Sequence, residues 1–283
     1  MTDYLGGSIK LGDLTVGRMG YGAMQLAGKG VFGPPDDPEV AKQVLKEVVA
    51  LGINHIDTSD YYGPYVVNEL IHDALFPYPD DLHIVTKVGS KRSDKGDWLP
   101  SFGEESLISQ VKDNLDRLEL SSMDVVNFRV MDDGGENFDI KEPLKVLAKL
   151  KDQGLIKHIG ISNVTEELLN EALKVTPIVT IQNMYNVANR SDDKLIDRCE
   201  ELGIVYVPFF PLGGFSKLQS DVLEDIAKEL ELTPQKLALA WLLQRSPSIA
   251  LIPGTSSVSH LKENISAIDL TIPQQALDRL NKM

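Results

Sequence analysis

At 283 residues the chain is longer than most single globular domains, yet it lies in the range where one β/α barrel of about 250 residues closes around one interior. A composition of 42% hydrophobic and 25% charged residues excludes intrinsic disorder, and a formal net charge of −14 opposes nucleic acid, whose phosphates are held by Lys and Arg. Cys199 is the only cysteine, so no intrachain disulfide forms, and in the helical stretch KLIDRCEEL it reads as a packed small hydrophobe.

The opening MTDYLGGSIKLGDL has neither the basic nor the apolar region of a secretion signal. The longest apolar stretch, 203–215, is interrupted by Pro208 and Pro211 and is too short to span a bilayer. A cytoplasmic protein without a membrane partner is predicted.

Taken in chain order, residues 9–16 with Gly12 and Asp13 at their centre predict a small hairpin. Short β-branched runs then predict strands at 18–22, 53–57, 82–88, 123–129, 156–162, 178–183, 204–209 and 249–253. Between them, PEVAKQVLKEVVALG, EESLISQVKDNLDRLEL and KEPLKVLAKLKDQG space apolar residues three and four apart and end near Gly, as amphipathic helices do. Gly28, Gly30 and Gly33 with Pro34 and Pro35 form a turn-rich loop after the first strand, and GSKRSDKGDWLP reads as a loop able to fold over the barrel mouth. Eight strand-helix units without an internal linker predict one domain, 1–283, with the α/β architecture of a (β/α)8 TIM barrel behind an N-terminal β-hairpin. An open doubly wound sheet is the alternative. No strand is followed by G-x-G-x-x-G, and Gly20 and Gly22 do not supply it, which disfavours a Rossmann dehydrogenase.

Reactive groups of a parallel barrel gather at the carboxyl ends of its strands. There the sequence offers Asp57, followed by Tyr62 in DTSDYYG, then Lys87 and Arg129. Side-chain alternation puts Asp57 on the face of His55, Lys87 on that of Val85, and Arg129 on that of Asn127. A carbonyl that accepts hydride becomes an alkoxide and needs a proton. A phenol supplies one more readily beside an ammonium, which lowers its pKa, and a carboxylate keeps that ammonium in place. Tyr62 is then the acid, Lys87 its tuner and Asp57 the orienter. A structural ion pair beside a surface aromatic is the competing reading.

The string GINHIDTSDYYG, the TK pair Thr86-Lys87, GISN at 160–163 and IPGTSSVSHLKEN at 252–264 together resemble the aldo-keto reductase family over essentially the whole chain. The resemblance implies the same barrel, an NADP(H) cofactor and a small carbonyl substrate. It makes Tyr62 the proton donor with Asp57 and Lys87 as partners. Ser162, Asn163 and Gln182 become the groups holding the nicotinamide carboxamide, and Phe209 the aromatic stacked on its ring. Phe210, Pro211, Leu212 and Gly213 follow as further cofactor contacts. At the far end of the cofactor, the stretch that meets the adenosine phosphate offers Gly254, Thr255, Ser256, Ser257 and His260, with Glu263 and Asn264 for the adenine. It contains no arginine, which leaves NADP against NAD open, although hydroxyls and a helix N-terminus can hold a phosphate.

The family's fourth catalytic position usually carries His, and here NFRVMDD places Arg129 there. A guanidinium stays charged and donates hydrogen bonds without relaying protons, and it should depress the Tyr62 pKa further unless Asp132 or Asp133 offsets it. With GVFGPP at 30–35 and FFPLGGFSKLQS at 209–220, this resembles the pyridoxal reductase branch, which reduces pyridoxal to pyridoxine with NADPH and runs the reverse with NADP. A forked donor suits that substrate, whose phenolic oxygen lies beside the aldehyde.

Met24, Tyr61 and Trp98, by position after the first three strands, are candidate walls of an apolar substrate mouth, Trp98 equally being a loop anchor. His55, His83 and His158 read as satisfied interior or lower-barrel histidines. No His-x-x-x-His, paired-Cys or dense carboxylate motif is present, so no metal is predicted. The competing functions are reduction of other aldehydes or ketones, and a regulatory module that binds NADP(H) without catalysis.

Overall fold

The computed structural model describes residues 4–131, 138–213 and 220–283. Strands β1 (Ser8–Leu11) and β2 (Leu14–Gly17) form an antiparallel hairpin through Gly12 and Asp13. Gly12 adopts φ 66°, a conformation a side chain would resist. The first barrel strand, β3 (Tyr21–Gly22), leads into α1 (Pro38–Ala50). That helix starts where its sequence says it should: Asp37 accepts the backbone N–H groups of Glu39 and Val40, and Pro38 fills the first position. Next come β4 (His55–Asp57), α2 (Val66–Leu75), β5 (His83–Val88), β6 (Ser90–Arg92), β7 (Trp98–Pro100), α3 (Glu104–Arg117), β8 (Met123–Arg129) and α4 (Lys141–Asp152). The second half contributes β9 (Ile156–Ser162), α5 (Glu166–Ala172), β10 (Ile178–Gln182), α6 (Asp193–Leu202), β11 (Val205–Tyr206), α7 (Asp221–Glu229), α8 (Pro234–Arg245), α9 (Val258–Ile265) and α10 (Gln274–Leu280).

Among the described residues, seven strands make a parallel sheet in the order β11-β10-β9-β8-β5-β4-β3. Its two edges meet on one segment. Ile249 pairs with Tyr206 of β11, Leu251 pairs with Met19 just before β3, and Leu251 N–H donates to Arg18 O at 2.7 Å while Gly20 N–H donates to Leu251 O at 2.8 Å. The sheet is therefore a closed barrel, and the open-sheet alternative fails. Several staves are shorter than the sequence predicts: 18–22 narrows to Tyr21–Gly22, 204–209 narrows to Val205–Tyr206, and 249–253 contributes bridges only. Pro208 and Pro253 have no N–H with which to extend a ladder. The stretch 53–57 begins pairing only at His55.

The GSKRSDKGDWLP segment, read as a loop from sequence, is an antiparallel ribbon of β6 and β7 in which Arg92 faces Trp98. Its residues alternate poorly and carry Gly96 at φ 85°, so periodicity does not reveal the pairing.

Two apolar regions hold the barrel. The larger lies between the staves and the surrounding helices, where Val44, Leu45 and Val48 of α1 are fully buried. The smaller fills the barrel interior with Val85, Val125, Val205, Val207, Ala250 and Ile252, closed from below by Leu11 and Val16 of the hairpin. At about 25 cal/mol per Å² each such side chain contributes roughly 2 kcal/mol on leaving water. Val85 and Val125 inside the barrel fix the parity that sends Lys87 and Asn127 inward, as strand alternation requires. Cys199 is fully buried on α6, a packing residue as its sequence context predicts. No helix among the described residues is long and apolar enough to cross a membrane.

Candidate active site

The carboxyl ends of β4, β5, β8, β9 and β10 carry, in turn, Asp57, Lys87, Arg129, Ser162 and Gln182. Pairing of Arg129 with Ser162, and of Ser162 with Gln182, sets the last three side by side. Asp57 and Lys87 are 2% and 4% exposed and form a direct ion pair. Lys87 Nζ also donates to Thr58 O at 3.2 Å, and the second Asp57 oxygen accepts from Gln182 Nε2 at 2.6 Å. Desolvating both charges is costly, and it is offset here because each has several partners.

Tyr62, 6% exposed, lies against this pair with Lys87 Nζ 5.3 Å from its ring centroid. The expected lowering of its pKa does not occur. Burial, reinforced by the Asp57 carboxylate, pushes the phenol well above its ordinary value, and the Arg129 guanidinium offsets only part of this. The reason is geometric: Lys87 spends its charge on Asp57 and meets the ring of Tyr62. Tyr62 is thus a phenol held in its neutral form. Asp132 and Asp133, proposed as a counterweight to Arg129, lie outside the described residues.

Arg129 makes two contacts that the sequence does not disclose. Its Nη1 donates to Ser162 Oγ at 3.0 Å, and its guanidinium carbon sits 4.7 Å from the Phe209 ring centroid. Ser162 accepts that bond and keeps its own O–H to give. Gln182, fully buried, is the complementary case, since its Nε2 is committed to Asp57 and its Oε1 has no partner among the described residues. A carboxamide needs one donor and one acceptor, and the chemistry of Ser162 and Gln182 fits it in kind, beside an aromatic face at Phe209. Both side chains are fully buried behind the mouth, and neither lines its two cavities. Asn163 turns through φ 61° and donates to Val130 O at 2.8 Å, which fixes the chain just past β9.

Two cavities adjoin at this mouth and share Met24, Tyr62, Lys87, Phe209 and Phe210. One, of about 150 Å³, runs past Asp57 to Pro211, Leu212 and Gly254. The other, of about 310 Å³, is bounded by Tyr61, Trp98, Arg129 and Met131. Met131 and, in the first cavity, Gln25 were not singled out from sequence, because neither carries a chemical signature. Gly213 closes a turn onto Phe210 O at 3.1 Å.

The 254–264 stretch continues away from the first cavity. Gly254, Ser256 and His260 are exposed, whereas Thr255 is buried and its Oγ1 accepts from Ser257 N–H at 3.1 Å. Ser257 caps α9, on which Glu263 is half-buried and Asn264 buried. Lys262, the one cation of that stretch, pairs with Glu47 of α1 at 2.8 Å.

Of the three strand histidines, His83 meets Asp124 at 3.2 Å and His158 meets Asp13 at 2.5 Å, as satisfied histidines should. His55 departs from that expectation. It is 1% exposed, neither ring nitrogen has a hydrogen-bond partner among the described residues, and burial drives its pKa down to about 4. Gly20 leaves room for the ring, since a Cβ there would stand 2.9 Å from His55 Nδ1.

The model of the aldo/keto reductase family matches residues 18–283. The chain belongs to that family. It is 56% identical over 274 residues to pyridoxine 4-dehydrogenase of Escherichia coli, covering 96% of each chain. Among solved structures, this reductase superposes on the thermostable aldo-keto reductase Tm1743, held with the inhibitor epalrestat, with a TM-score of 0.83 at 29% identity, covering 98% and 99% of the two chains. An aldo/keto reductase of Klebsiella pneumoniae, solved with NADP and acetate, shares the fold with a TM-score of 0.74 at 22% identity, covering 95% and 91%.

Proposed function

We propose that this aldo/keto reductase reduces the 4-aldehyde of pyridoxal to the alcohol of pyridoxine with NADPH, and runs the reverse with NADP. The observation that carries the reading is the buried Asp57–Lys87 pair beneath Tyr62, set where two cavities join. Close similarity to the E. coli pyridoxine 4-dehydrogenase supports the substrate.

The smaller cavity suits the nicotinamide, with Ser162, Asn163 and Gln182 for the carboxamide and Phe209 for the ring. Phe210, Pro211, Leu212 and Gly213 continue that wall, and Gly254, Thr255, Ser256, Ser257, His260, Glu263 and Asn264 take the adenosine end. When bound, the cofactor supplies a hydride to the carbonyl carbon. The chain supplies the rest. Tyr62 Oη passes its proton to the carbonyl oxygen, so that a C–H and an O–H bond form as the C=O π bond breaks. Lys87, anchored by Asp57, offsets the negative charge left on the phenolate. Arg129 holds the aldehyde or its neighbouring phenolic oxygen by charge-assisted hydrogen bonds without exchanging protons. Met24, Tyr61 and Trp98 wall the larger cavity against water.

Mixing the protein with pyridoxal and NADPH tests this. Enzyme-dependent loss of absorbance at about 340 nm, with pyridoxine as product, is expected. Binding of NADPH without turnover on any aldehyde would overturn it in favour of a regulatory module.

A further inference from the structure

Trp98 reaches the larger cavity from a ribbon that projects beyond the barrel, where an unsupported indole would be free to swing. Arg92, opposite it in the ribbon, prevents this. Its guanidinium lies 3.9 Å from the Trp98 ring centroid and 5.4 Å from that of Phe32. Its nitrogens donate to Val31 O at 2.6 Å, to Gly30 O at 3.0 Å, and twice to Gly96 O, at 2.7 and 3.1 Å. The turn it grips holds one strained residue: between Gly30 and Gly33, whose φ of 71° glycine adopts freely, Val31, a β-branched residue, lies at φ 57°. Such a conformation persists only where surrounding contacts over-determine it.

The support passes inward edge to face. Trp98 meets Tyr61 at 5.6 Å and 84°, and Tyr61 meets Tyr62 at 5.4 Å and 88°. Arg92 therefore ties three separate pieces, the turn after β3, the ribbon and the aromatic wall, into one body that ends at the proton donor. Only a planar fork can bond to three carbonyls and stack on an indole at once, which a lysine cannot imitate.

We infer that Arg92 is a positioning residue that sets substrate specificity, holding Trp98 as a fixed wall that favours flat aromatic aldehydes over small aliphatic ones. The inference rests on the carbonyl-reductase reading of the larger cavity. Arg92 itself does not line that cavity, so its effect must pass through Trp98.

The test compares wild type, Arg92→Lys and Arg92→Ala with pyridoxal and with propanal, alongside NADPH affinity and acrylamide quenching of tryptophan fluorescence. The only other tryptophan, Trp241, is 0% exposed, so a change in quenching reports Trp98. Arg92→Ala should raise KM for pyridoxal about tenfold, leave kcat within about threefold, and leave both KM for propanal and the NADPH Kd within about twofold. Quenching should rise, and Arg92→Lys should fall between. Where Arg92→Ala does not fold, Arg92→Lys carries the comparison. Equal losses on both aldehydes, or increased quenching with unchanged pyridoxal KM, would overturn the inference. Should wild type reduce neither aldehyde, the proposed function fails and the specificity role with it, whereas unchanged quenching with intact turnover refutes the anchoring alone.

Discussion

Replacing Lys87 by Met removes a cation of similar length and leaves the Asp57 carboxylate in a site where the two side chains are only 5% and 3% exposed. Asp57 would retain the Gln182 amide at 2.6 Å as its hydrogen-bond donor and lose its counter-charge. Breaking a buried pair from one side costs about 3–5 kcal/mol, far more than the roughly 0–1 kcal/mol of an exposed pair. Asp57→Asn strands the ammonium in the same way, and Thr58 O at 3.2 Å compensates little. The double variant Asp57→Asn/Lys87→Met leaves no buried charge, so its cost should undershoot the sum of the singles by about 2 kcal/mol or more. Equilibrium unfolding in urea at pH 7 measures all four proteins. Single variants that each lose under about 1 kcal/mol, or strict additivity, would show that the pair is hydrated in solution and would undo the argument for a buried, pre-set charge beneath Tyr62.

Tyr62→Phe should lower kcat by about a hundredfold or more with NADPH affinity unchanged, by stopped-flow and fluorescence titration; an unaltered rate would remove Tyr62 from its role. His55, whose folded-state pKa falls to about 4 against 6.5 unfolded, takes up its proton only on unfolding, so stability is whole above pH 6.5 and is lost as pH falls toward 4. The loss should approach about 3 kcal/mol, at about 1.4 kcal/mol per pH unit, and His55→Leu should abolish that component of the slope in denaturant titrations across pH 4–7. Gly160→Ala places a Cβ 2.0 Å from both Asn127 Oδ1 and Thr180 Oγ1, across the hydrogen bond of 2.7 Å that joins them. A cost of about 2–4 kcal/mol is expected from overpacking and the broken bond, read as a lower Tm; a neutral result would mean that β9 shifts freely.

Strand alternation and helix periodicity suffice to read the staves at 123–129 and 156–162 to the residue, because outward packing residues recur at every second position, Val126 and Phe128 in one and Ile159 and Ile161 in the other. Charge-bearing residues in DTSDYYG and TK were legible for a similar reason, since parity alone sends Asp57 and Lys87 to one interior. Motif order likewise carries the resemblance to the family. What the sequence could not contain is set by distances between segments remote along the chain. The barrel closes through Leu251 meeting Arg18 and Gly20, contacts more than 230 residues apart that no local pattern records. The phenol of Tyr62 ends above its ordinary pKa because burial outweighs a cation that the fold aims elsewhere. Arg92 carries no signal of its own within GSKRSDKGDWLP, and only the tertiary structure stacks it on Trp98 and spends its hydrogens on Gly30, Val31 and Gly96. Sequence fixes which groups are present and which way each strand faces them, while desolvation and hydrogen-bond partnership depend on what the closed barrel brings near.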